Sequence, residues 1–589
     1  MDPRSERPLI VQSDRSLLLE VGGPAYAACR DAVAPFAELV KSPEYVHTYR
    51  ISPLSVWNAA ASGMDADEMV DVLQRFSRFD LPSNVVRDIR DLHGRYGRLR
   101  LVKAPEGQEG LRLEADDEVL LDQVLASPLT RDYVSAVEAS DAAPDGAGNG
   151  ATIPRSLAVT TGHRGELKRS LVRLGWPVDD LAGYVDGAPL AIRLADELPG
   201  GRPFGLRGYQ HEAVERFHRD GSLSGGSGVV VLPCGAGKTV VGLGAMSRVG
   251  RRTLVLTTSH TAVRQWHREL VEKTNLTEED VGEYTGEVKE IRPVTISTYQ
   301  MLTWRKRKTD EFPHLDLLCQ GDWGLIVYDE VHLLPAPVFR MTADIQATRR
   351  LGLTATLVRE DGHEEDVFSL IGPKRYELPW KVLEREGWIA EARCVEVRLA
   401  LEPEDRKRYA LVDRRAQFRI AAENPRKHEA LERLLSRYVG ERVLIIGQYL
   451  DQLQKVARQL DVPLITGRTP REERIERYAA FASGEAPVLV VSKVGNFAID
   501  LPEARVIVQI SGTFGSRQEE AQRLGRVLRP KADGGGAWFY TLVSEETLEQ
   551  DFAQHRQLFL TEQGYAYQIL GDEELVEHAA TAPQEAARR

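Results

Sequence analysis

Gly228-Val-Val-Val-Leu-Pro-Cys-Gly-Ala-Gly-Lys-Thr239 is the stretch that decides the fold. Its apolar start, Gly228–Leu232, predicts a buried strand, and a helix is predicted to begin near Val240. Between them lies a glycine-rich loop, whose backbone N–H groups can point at phosphate oxygens because glycine permits close approach. We therefore predict a nucleotide site formed by five residues of this loop: Gly235, Ala236, Gly237, Lys238 and Thr239.

The last two residues of the loop have distinct predicted roles. Lys238 would reach the β- and γ-phosphates of ATP, and the Thr239 hydroxyl would ligate Mg²⁺. The strict phosphate-loop pattern has glycine at the position that Leu232 occupies, so the sequence departs from the pattern there. ATP and Mg²⁺ are the predicted cofactors.

A pair of acidic residues follows another predicted strand. The apolar run Leu325–Tyr328 ends in Asp329 and Glu330. An acid at the carboxyl end of a strand beside a phosphate loop holds Mg²⁺ through water, and the next acid can polarise the attacking water. Such a pair is common by itself. Its combination with the phosphate loop predicts ATP hydrolysis.

Two arginines lie far along the chain, in the segment Gln522-Arg-Leu-Gly-Arg-Val-Leu-Arg529. On a helix, Arg526 and Arg529 are about one turn apart and can face the same cleft. An arginine inserted from another lobe stabilises charge on the γ-phosphate and is worth about 10³–10⁵ in rate. We predict that both act in hydrolysis, which would then depend on lobe closure. The alternative is a basic surface helix.

Short apolar runs alternate with helical stretches from residue 196 onward, in two series. The first series is Gly228–Leu232, Thr253–Thr257, Val294–Ser297, Leu325–Tyr328 and Arg350–Leu353. The second series is Val443–Ile446, Val488–Val491, Val506–Ile510 and Trp538–Leu542. Buried parallel strands that alternate with helices predict an α/β fold class with two doubly wound parallel-sheet lobes.

The N-terminal quarter of the chain predicts a mostly helical domain. Ser52 can cap one helix, and Asp65–Phe79 and Val85–Tyr96 predict two more. Two short apolar runs around a Pro/Gly turn, Leu99–Val102 and Leu111–Leu113, predict a hairpin. Three helices and a hairpin suggest a winged-helix-like unit, which could bind DNA or protein.

The bulk composition is that of an ordinary globular protein, with 42% hydrophobic and 28% charged residues. A formal net charge of −12 argues against a protein that coats DNA, although a motor needs only a local basic track. The cysteines are too dispersed for a disulfide framework, and no apolar run of about 18 residues exists. With no secretory signal at the start, the predicted location is the cytoplasm.

Six segments carry a family resemblance: Leu206-Arg-Gly-Tyr-Gln210, VVLPCGAGKT, VYDEVH, GLTATLVRED, SKVGNFAIDLPEA and EAQRLGRVLR. The stretch from about 200 to 560 resembles superfamily 2 helicases and, within them, the XPB group of DNA repair and transcription helicases. Leu232 in place of glycine is a relaxation that helicase-type loops share. The long charged extensions of the nuclear members are missing, which suggests a prokaryotic form.

The resemblance implies roles for further residues around the nucleotide. Arg207 and Gln210 would hold the adenine end of ATP, and Asp500 would help to hold the nucleotide from the second lobe. Thr354 and Thr356 would couple hydrolysis to the grip on DNA. His332 would bridge the acidic pair and these threonines.

The resemblance also implies contacts with DNA. Thr298 and Ser492 would lie near the DNA backbone. Arg359, Glu360 and Asp361 match an RED element that the family is thought to use as a wedge beside the duplex. A solvated charged loop is the alternative for this last segment.

The insertion Glu402–Arg426 is similar in placement to the family's thumb, which clamps duplex DNA. Basic residues with interleaved aromatics, here Tyr409 and Phe418, fit contact with phosphates and bases. An amphipathic helix packed on its neighbour is the alternative. The basic residues are Arg406, Lys407, Arg408, Arg414, Arg415 and Arg419.

These features predict a division of the chain into consecutive segments. They are an N-terminal helical, winged-helix-like domain (1–138), a linker (139–153), a small domain resembling the family's damage-recognition domain (154–197), a first RecA-like helicase lobe (198–377), an interlobe segment with the thumb-like insertion (378–427), a second RecA-like lobe (428–570) and a tail (571–589).

The predicted function is that of an ATP-hydrolysing 3′-5′ DNA helicase that opens or remodels forked or damaged duplex DNA in repair. Two alternatives stay open: a duplex translocase that does not separate strands, and an ATP-gated clamp or scaffold for a nuclease partner. RNA is a third candidate substrate. A single chain supplies the cleft, so a monomer associated with a prokaryotic nucleoid, and with no membrane, is expected.

Overall fold

The computed structural model describes most of the chain. The described residues are 6–580 except 43–44, 105–109, 138–155, 161–162, 182–185, 223–224, 234, 306–312, 315–317, 319–320, 335–346, 356–363, 389, 493–503, 513–535, 563–564 and 566. They form two compact units, Met1–Leu232 with Gly237–Glu377, and Pro233–Ala236 with Leu378–Arg589. Among the described helices, none has the length and apolarity needed to span a membrane.

An antiparallel sheet and four helices open the first unit. The strands, in the order β1-β2-β4-β3, are β1 (Leu9–Val11), β2 (Ser16–Glu20), β3 (Glu38–Lys41) and β4 (Val46–Arg50). The helices are α1 (Tyr26–Val33), α2 (Pro53–Ser62), α3 (Ala66–Phe76) and α4 (Ser83–Arg95). Ser52 caps α2 as predicted, because its side chain accepts a hydrogen bond from the Ser55 N–H. The domain is mixed rather than mostly helical.

The predicted hairpin forms, but it belongs to a separate five-stranded sheet. In the order β7-β8-β6-β5-β9, the strands are β5 (Leu99–Lys103), β6 (Leu111–Ala115), β7 (Val134–Ala136), β8 (Ser156–Val159) and β9 (Val178–Asp180). The helices α5 (Glu118–Ala126) and α6 (Arg164–Leu174) cover it. The hairpin buries Leu99, Leu101 and Leu113 with these two helices. It is therefore not the wing of a three-helix unit, and its sheet takes strands from both sides of the predicted linker.

The first unit ends in a seven-stranded parallel sheet in the order β14-β15-β13-β16-β17-β12-β18. Its strands are β12 (Ser227–Val231), β13 (Thr253–Thr257), β14 (Val281–Tyr284), β15 (Val294–Thr298), β16 (Leu325–Asp329), β17 (Arg349–Thr354) and β18 (Lys374–Glu377). Its helices are α7 (Gly208–His218), α8 (Lys238–Val249), α9 (His260–Lys273), α10 (Tyr299–Thr303) and α11 (Glu364–Leu370). A hairpin of two short strands, β10 (Glu197–Leu198) and β11 (Arg202–Pro203), precedes these helices.

The second unit holds another seven-stranded parallel sheet, in the order β21-β22-β20-β23-β24-β19-β25. Its strands are β19 (Ala392–Leu399), β20 (Val443–Gly447), β21 (Leu464–Ile465), β22 (Val488–Ser492), β23 (Val506–Gln509), β24 (Ala537–Ser544) and β25 (Tyr567–Leu570). Its helices are α12 (Trp380–Arg385), α13 (Pro403–Leu411), α14 (Arg414–Ala422), α15 (Arg426–Arg437), α16 (Leu450–Leu460), α17 (Arg471–Ser483), α18 (Leu548–Glu562) and α19 (Asp572–Ala580).

The α/β class with two parallel-sheet lobes is confirmed, since all nine predicted strands are present. Helix α19 lies inside the predicted tail and buries Leu575 completely in the core of the second unit. If the strands of each sheet are numbered along the chain from one to seven, both sheets have the order 3-4-2-5-6-1-7. In such sheets ligands bind at the carboxyl ends of the strands.

Candidate nucleotide site

The phosphate loop connects β12 to α8. Gly237 has a φ of 79° and caps α8, whose first residue is Lys238. The backbone angle favours glycine, and a Cβ atom at Gly237 would lie 2.6 Å from Nε2 of Gln210 and displace that amide. The first N–H groups of a helix have no partner within that helix. The start of α8 therefore provides backbone N–H groups that can donate hydrogen bonds to a phosphate in the loop.

The two residues predicted for the adenine end lie at the start of α7. The Arg207 backbone N–H donates to Gln210 Oε1 at 2.9 Å, and its Nη1 donates to Tyr209 Oη at 3.1 Å. Gln210 is buried, and its amide nitrogen faces Gly237. The fold thus brings this predicted pair to the phosphate loop across nearly thirty residues of sequence.

A lysine and an acid meet at the carboxyl edge of the sheet. Lys238 Nζ lies 3.1 Å from Glu330 Oε1, and both side chains are largely buried. Burial alone would raise the pKa of Glu330, but the charge of Lys238 holds that pKa below its usual value. Glu330 has a φ of 50°, a left-handed conformation that costs a non-glycine residue roughly 1–3 kcal/mol. Backbone strain of this kind is typical of functional sites.

The second oxygen of Glu330 is differently placed. Glu330 Oε2 is buried and accepts no hydrogen bond from the described residues. It lies 3.5 Å from Nδ1 of His332, and that nitrogen is hydrogen-bonded to Thr354 Oγ1. Thr354 ends β17 and is fully buried. His332 therefore lies between Glu330 and Thr354, and its role as a bridge, which the resemblance implied, stays a prediction.

Asp329 is held by two residues that the sequence analysis did not identify. Trp266 Nε1 donates to Asp329 Oδ2 at 2.9 Å, and Tyr299 Oη donates to the Asp329 carbonyl oxygen at 2.8 Å. Burial and the charge of Glu330 raise the pKa of Asp329 to about 6. In the sequence, both aromatic residues have only the apolar spacing of ordinary core positions, which gives no sign of a polar role.

The donors at this edge fit a magnesium ion. They are the Thr239 hydroxyl in the first turn of α8 and Oδ1 of Asp329, the carboxylate oxygen that Trp266 does not engage. Both are hard oxygen ligands, and Mg²⁺ takes its remaining ligands from phosphate and water. Among the described residues, no group of three or more His, Cys, Asp or Glu side chains could hold a metal ion.

Comparison with known proteins identifies the family. The DNA 3′-5′ helicase XPB of Kineococcus radiotolerans is 53% identical over 571 residues, which cover 97% of this chain and 98% of that protein. The chain belongs to the XPB helicase family. The DNA 3′-5′ helicase XPB of Mycobacterium tuberculosis is 52% identical over 97% of this chain and 99% of its own. The resemblance predicted from six short segments is confirmed.

Family models and a eukaryotic relative extend this assignment. The ERCC3/RAD25/XPB C-terminal helicase model matches residues 383–587, and the type III restriction enzyme res subunit model matches residues 203–359. A helicase conserved C-terminal domain model matches residues 9–138. The general transcription and DNA repair factor IIH helicase/translocase subunit XPB/SSL2 of Saccharomyces cerevisiae is 31% identical over 99% of this chain and 74% of its own.

Two of the residues that the XPB resemblance places near DNA are described. Thr298 is the last residue of β15 and Ser492 the last residue of β22, so each lies at the carboxyl end of a strand. Ser492 Oγ is buried and makes no hydrogen bond among the described residues. Seven further residues with predicted roles lie outside the described part of the chain: Thr356, Arg359, Glu360, Asp361, Asp500, Arg526 and Arg529.

The XPB thumb-like insertion consists of α13 and α14, and its aromatic residues serve packing. Tyr409 Oη accepts a hydrogen bond from the Leu548 N–H, and Phe418 stacks on Phe552 with ring centroids 5.1 Å apart. Both rings therefore pack against α18, which is the arrangement that the alternative of an amphipathic helix packed on its neighbour predicts.

The basic residues of the insertion divide into two groups. Arg406, Arg408 and Arg419 form ion pairs with acids of the second unit. Lys407, Arg414 and Arg415 are exposed and make no ion pair within the described residues.

Proposed function

We propose that this member of the XPB family is an ATP-dependent 3′-5′ DNA helicase that opens or remodels duplex DNA during repair. The observation that carries the proposal is the Lys238–Glu330 pair beside Asp329, buried at the carboxyl edge of the first parallel sheet. The bacterial relatives bear the name DNA 3′-5′ helicase, which supports the substrate and the polarity.

The Lys238–Glu330 pair suggests how ATP would prepare its own hydrolysis. The β- and γ-phosphates would draw Lys238 away from Glu330, because their charge is larger than that of one carboxylate. Glu330 would then orient a water molecule and take up its proton. The water oxygen forms a bond to the γ-phosphorus while the bond from that phosphorus to the oxygen of ADP breaks.

Asp329 and Thr239 are the residues proposed to hold Mg²⁺. When bound, the ion would neutralise charge that develops between the β- and γ-phosphates. Trp266 keeps one oxygen of Asp329 occupied and so orients the other. From the second lobe, Arg526 and Arg529 are proposed to stabilise the γ-phosphate and Asp500 to hold the nucleotide, so that hydrolysis requires closure.

The coupling to DNA is proposed to run through His332 and Thr354. Their hydrogen bond links the residue beside Glu330 to the strand that leads toward Thr356 and the RED element. Thr298 and Ser492 are proposed to contact the DNA backbone, and Arg359, Glu360 and Asp361 to separate the strands. Changing Arg359 and Asp361 to alanine should harm unwinding more than DNA-stimulated hydrolysis, and equal loss of both would count against a wedge.

The first experiment is steady-state ATP hydrolysis with no nucleic acid, single-stranded DNA, forked duplex DNA or RNA. Stimulation by DNA, strongest with forks, is the expected result. Equal slow hydrolysis in all four conditions would overturn the proposal. Strand displacement on substrates with a single 3′ or 5′ overhang then tests the polarity.

Translocation without strand separation is the second candidate, and the helicase/translocase name of the yeast relative favours it. Triplex displacement beside strand displacement distinguishes the two. Loss of a third strand without loss of duplex would indicate a translocase.

The setting of this activity is also a proposal. We place the chain in the bacterial cytoplasm on nucleoid DNA, as a monomer that can work with a nuclease. Light scattering of the purified chain tests the monomer. Co-purification from a bacterial lysate treated to remove nucleic acid tests a nuclease partner.

A further inference from the structure

We infer that Trp266 and Tyr299 are positioning residues. They connect Asp329 to the edge of the first lobe that is proposed to contact DNA. Trp266 holds the side chain of Asp329, and Tyr299 holds its backbone carbonyl. The inference rests on the proposed function, in which Asp329 holds the metal ion and Thr298 contacts the DNA backbone.

The indole of Trp266 is fixed from two sides. It lies on α9, is 1% exposed, and donates to Asp329. A Cβ atom at Gly242 of α8 would lie 2.5 Å from Cη2 of the ring, so the ring fills the space that this glycine leaves. Helix α8 begins with Lys238 and Thr239. The Trp266 ring therefore fixes the distance between α8, which follows the phosphate loop, and Asp329.

Tyr299 has an equally defined place. It is the first residue of α10 and follows Thr298 directly. Its side chain is 3% exposed, and its hydroxyl donates to the Asp329 carbonyl oxygen. If Thr298 shifted on contact with a DNA phosphate, the Tyr299 hydroxyl that donates to the Asp329 carbonyl would therefore shift as well.

The two aromatic residues lie in segments that follow neighbouring strands at the same edge of the sheet. Trp266 lies two turns into α9, which follows β13, and Tyr299 follows β15. β13 and β15 are neighbours, and Thr257 pairs with Thr298 at their carboxyl ends. Ser259, His260 and Gln300 are exposed around these ends. The hydrogen bonds of Trp266 and Tyr299 thus connect this polar edge of the sheet to Asp329. This connection is separate from the His332–Thr354 hydrogen bond.

Nucleotide affinity in the presence and absence of Mg²⁺ tests Trp266. W266F keeps an aromatic ring but removes the donor, so Asp329 Oδ2 loses its partner. We expect the tightening of a fluorescent ADP analogue by Mg²⁺ to fall about tenfold. Trp323 is the matched control, since its buried indole donates to Leu318 O and not to the site. W323F should keep the wild-type ratio. An unchanged ratio in W266F would overturn the role of Trp266.

The mutual effect of nucleotide and DNA tests Tyr299. Single-stranded DNA affinity is measured with and without a non-hydrolysable ATP analogue, and Y299F should bring the ratio of the two affinities about tenfold closer to one. Y284F is the control, because the Tyr284 hydroxyl contacts His314 instead. A wild-type ratio in Y299F would overturn the role of Tyr299. Wild-type protein with no DNA affinity would instead refute the proposed function, and the metal measurement would still judge Trp266.

Discussion

Lys238 pairs with Glu330 in the first parallel-sheet lobe and Lys427 pairs with Glu549 in the second, and the two pairs differ in how completely their carboxylate oxygens are hydrogen-bonded. In the second lobe, Lys427 Nζ donates to both oxygens of Glu549, at 2.8 and 2.6 Å, and to Ile510 O at 3.1 Å. Glu549 Oε2 also accepts from the Ser544 N–H. The side chains are 1% and 5% exposed. All three ammonium hydrogens have acceptors, so nothing is left for a ligand.

The pair in the first lobe is looser and incomplete. Lys238 and Glu330 approach to 3.1 Å and retain 12% and 19% exposure. One oxygen of Glu330 is buried without a hydrogen bond from the described residues. Because both sheets have the same strand order, the fold does not explain the difference. A completed pair stabilises its lobe, whereas an incomplete one can be opened by a substrate.

Replacing the lysine of the first lobe should have the largest effect on activity. In K238M, the phosphates lose their cationic partner, and we expect kcat/KM for ATP hydrolysis to fall by at least about 10³-fold. The loss of folding stability should stay near 1–2 kcal/mol, because water still reaches Glu330. Hydrolysis and urea unfolding of the same preparation check both parts. Retained hydrolysis would refute the assignment of the site.

Replacing the acid should separate binding from hydrolysis. E330Q keeps the shape of the side chain but cannot take up a proton, so we expect kcat to fall about 10²–10⁴-fold. ATP should still bind, as measured with a fluorescent analogue. Glu287, whose side chain is 74% exposed, is the matched control in the same lobe. If E287Q lost as much activity as E330Q, the effect would not belong to the site.

The lysine of the second lobe should matter for stability. K427M leaves the charge of Glu549 buried without a partner, which should cost about 3–5 kcal/mol. Hydrogen exchange of peptides from 426–437 during urea denaturation reports on this lobe. The double variant K427M/E549L removes both charges and should recover much of the loss. A double variant as unstable as K427M would mean that the charge is not the cause.

The smallest effect should come from acidification, at His578 of α19. Burial, with the charge of Arg437, lowers the pKa of His578 to about 4. A histidine that is neutral in the folded state contributes its full stability above its unfolded pKa of about 6.5, and this contribution falls as the pH drops from there toward 4. Helix α19 should therefore loosen in that range. His578 stacks edge-on against Trp538 at 5.6 Å, so tryptophan fluorescence should follow it. In W538F the change should vanish.

Much of the lobe architecture could be predicted because the signals are local. Gly228–Leu232 and Leu325–Tyr328 are continuous apolar runs, and the phosphate loop and acidic pair follow them directly. The sequence analysis did not predict the edge strands β14, β18, β21 and β25, because edge strands are short or mixed in polarity, nor the internal strand β19, whose apolar residues alternate with charged ones. Helix α19 was read as tail, since its short acidic sequence shows little of the apolar face that Leu575 anchors.

The sequence by itself determined the family, the parallel-sheet class and the nucleotide-binding loop, because each depends on residues that are close together in the chain. Only the tertiary structure decided which sheet takes the Leu99–Ala115 hairpin, which aromatic residues hold Asp329, and which of the two glutamates, Glu330 or Glu549, has both carboxylate oxygens hydrogen-bonded. Trp266 and Asp329 are 63 residues apart, and Lys427 and Glu549 are 122 apart. Periodicity shows that such side chains are buried. What they contact depends on how strands and helices pack, and this packing leaves no local trace in the sequence.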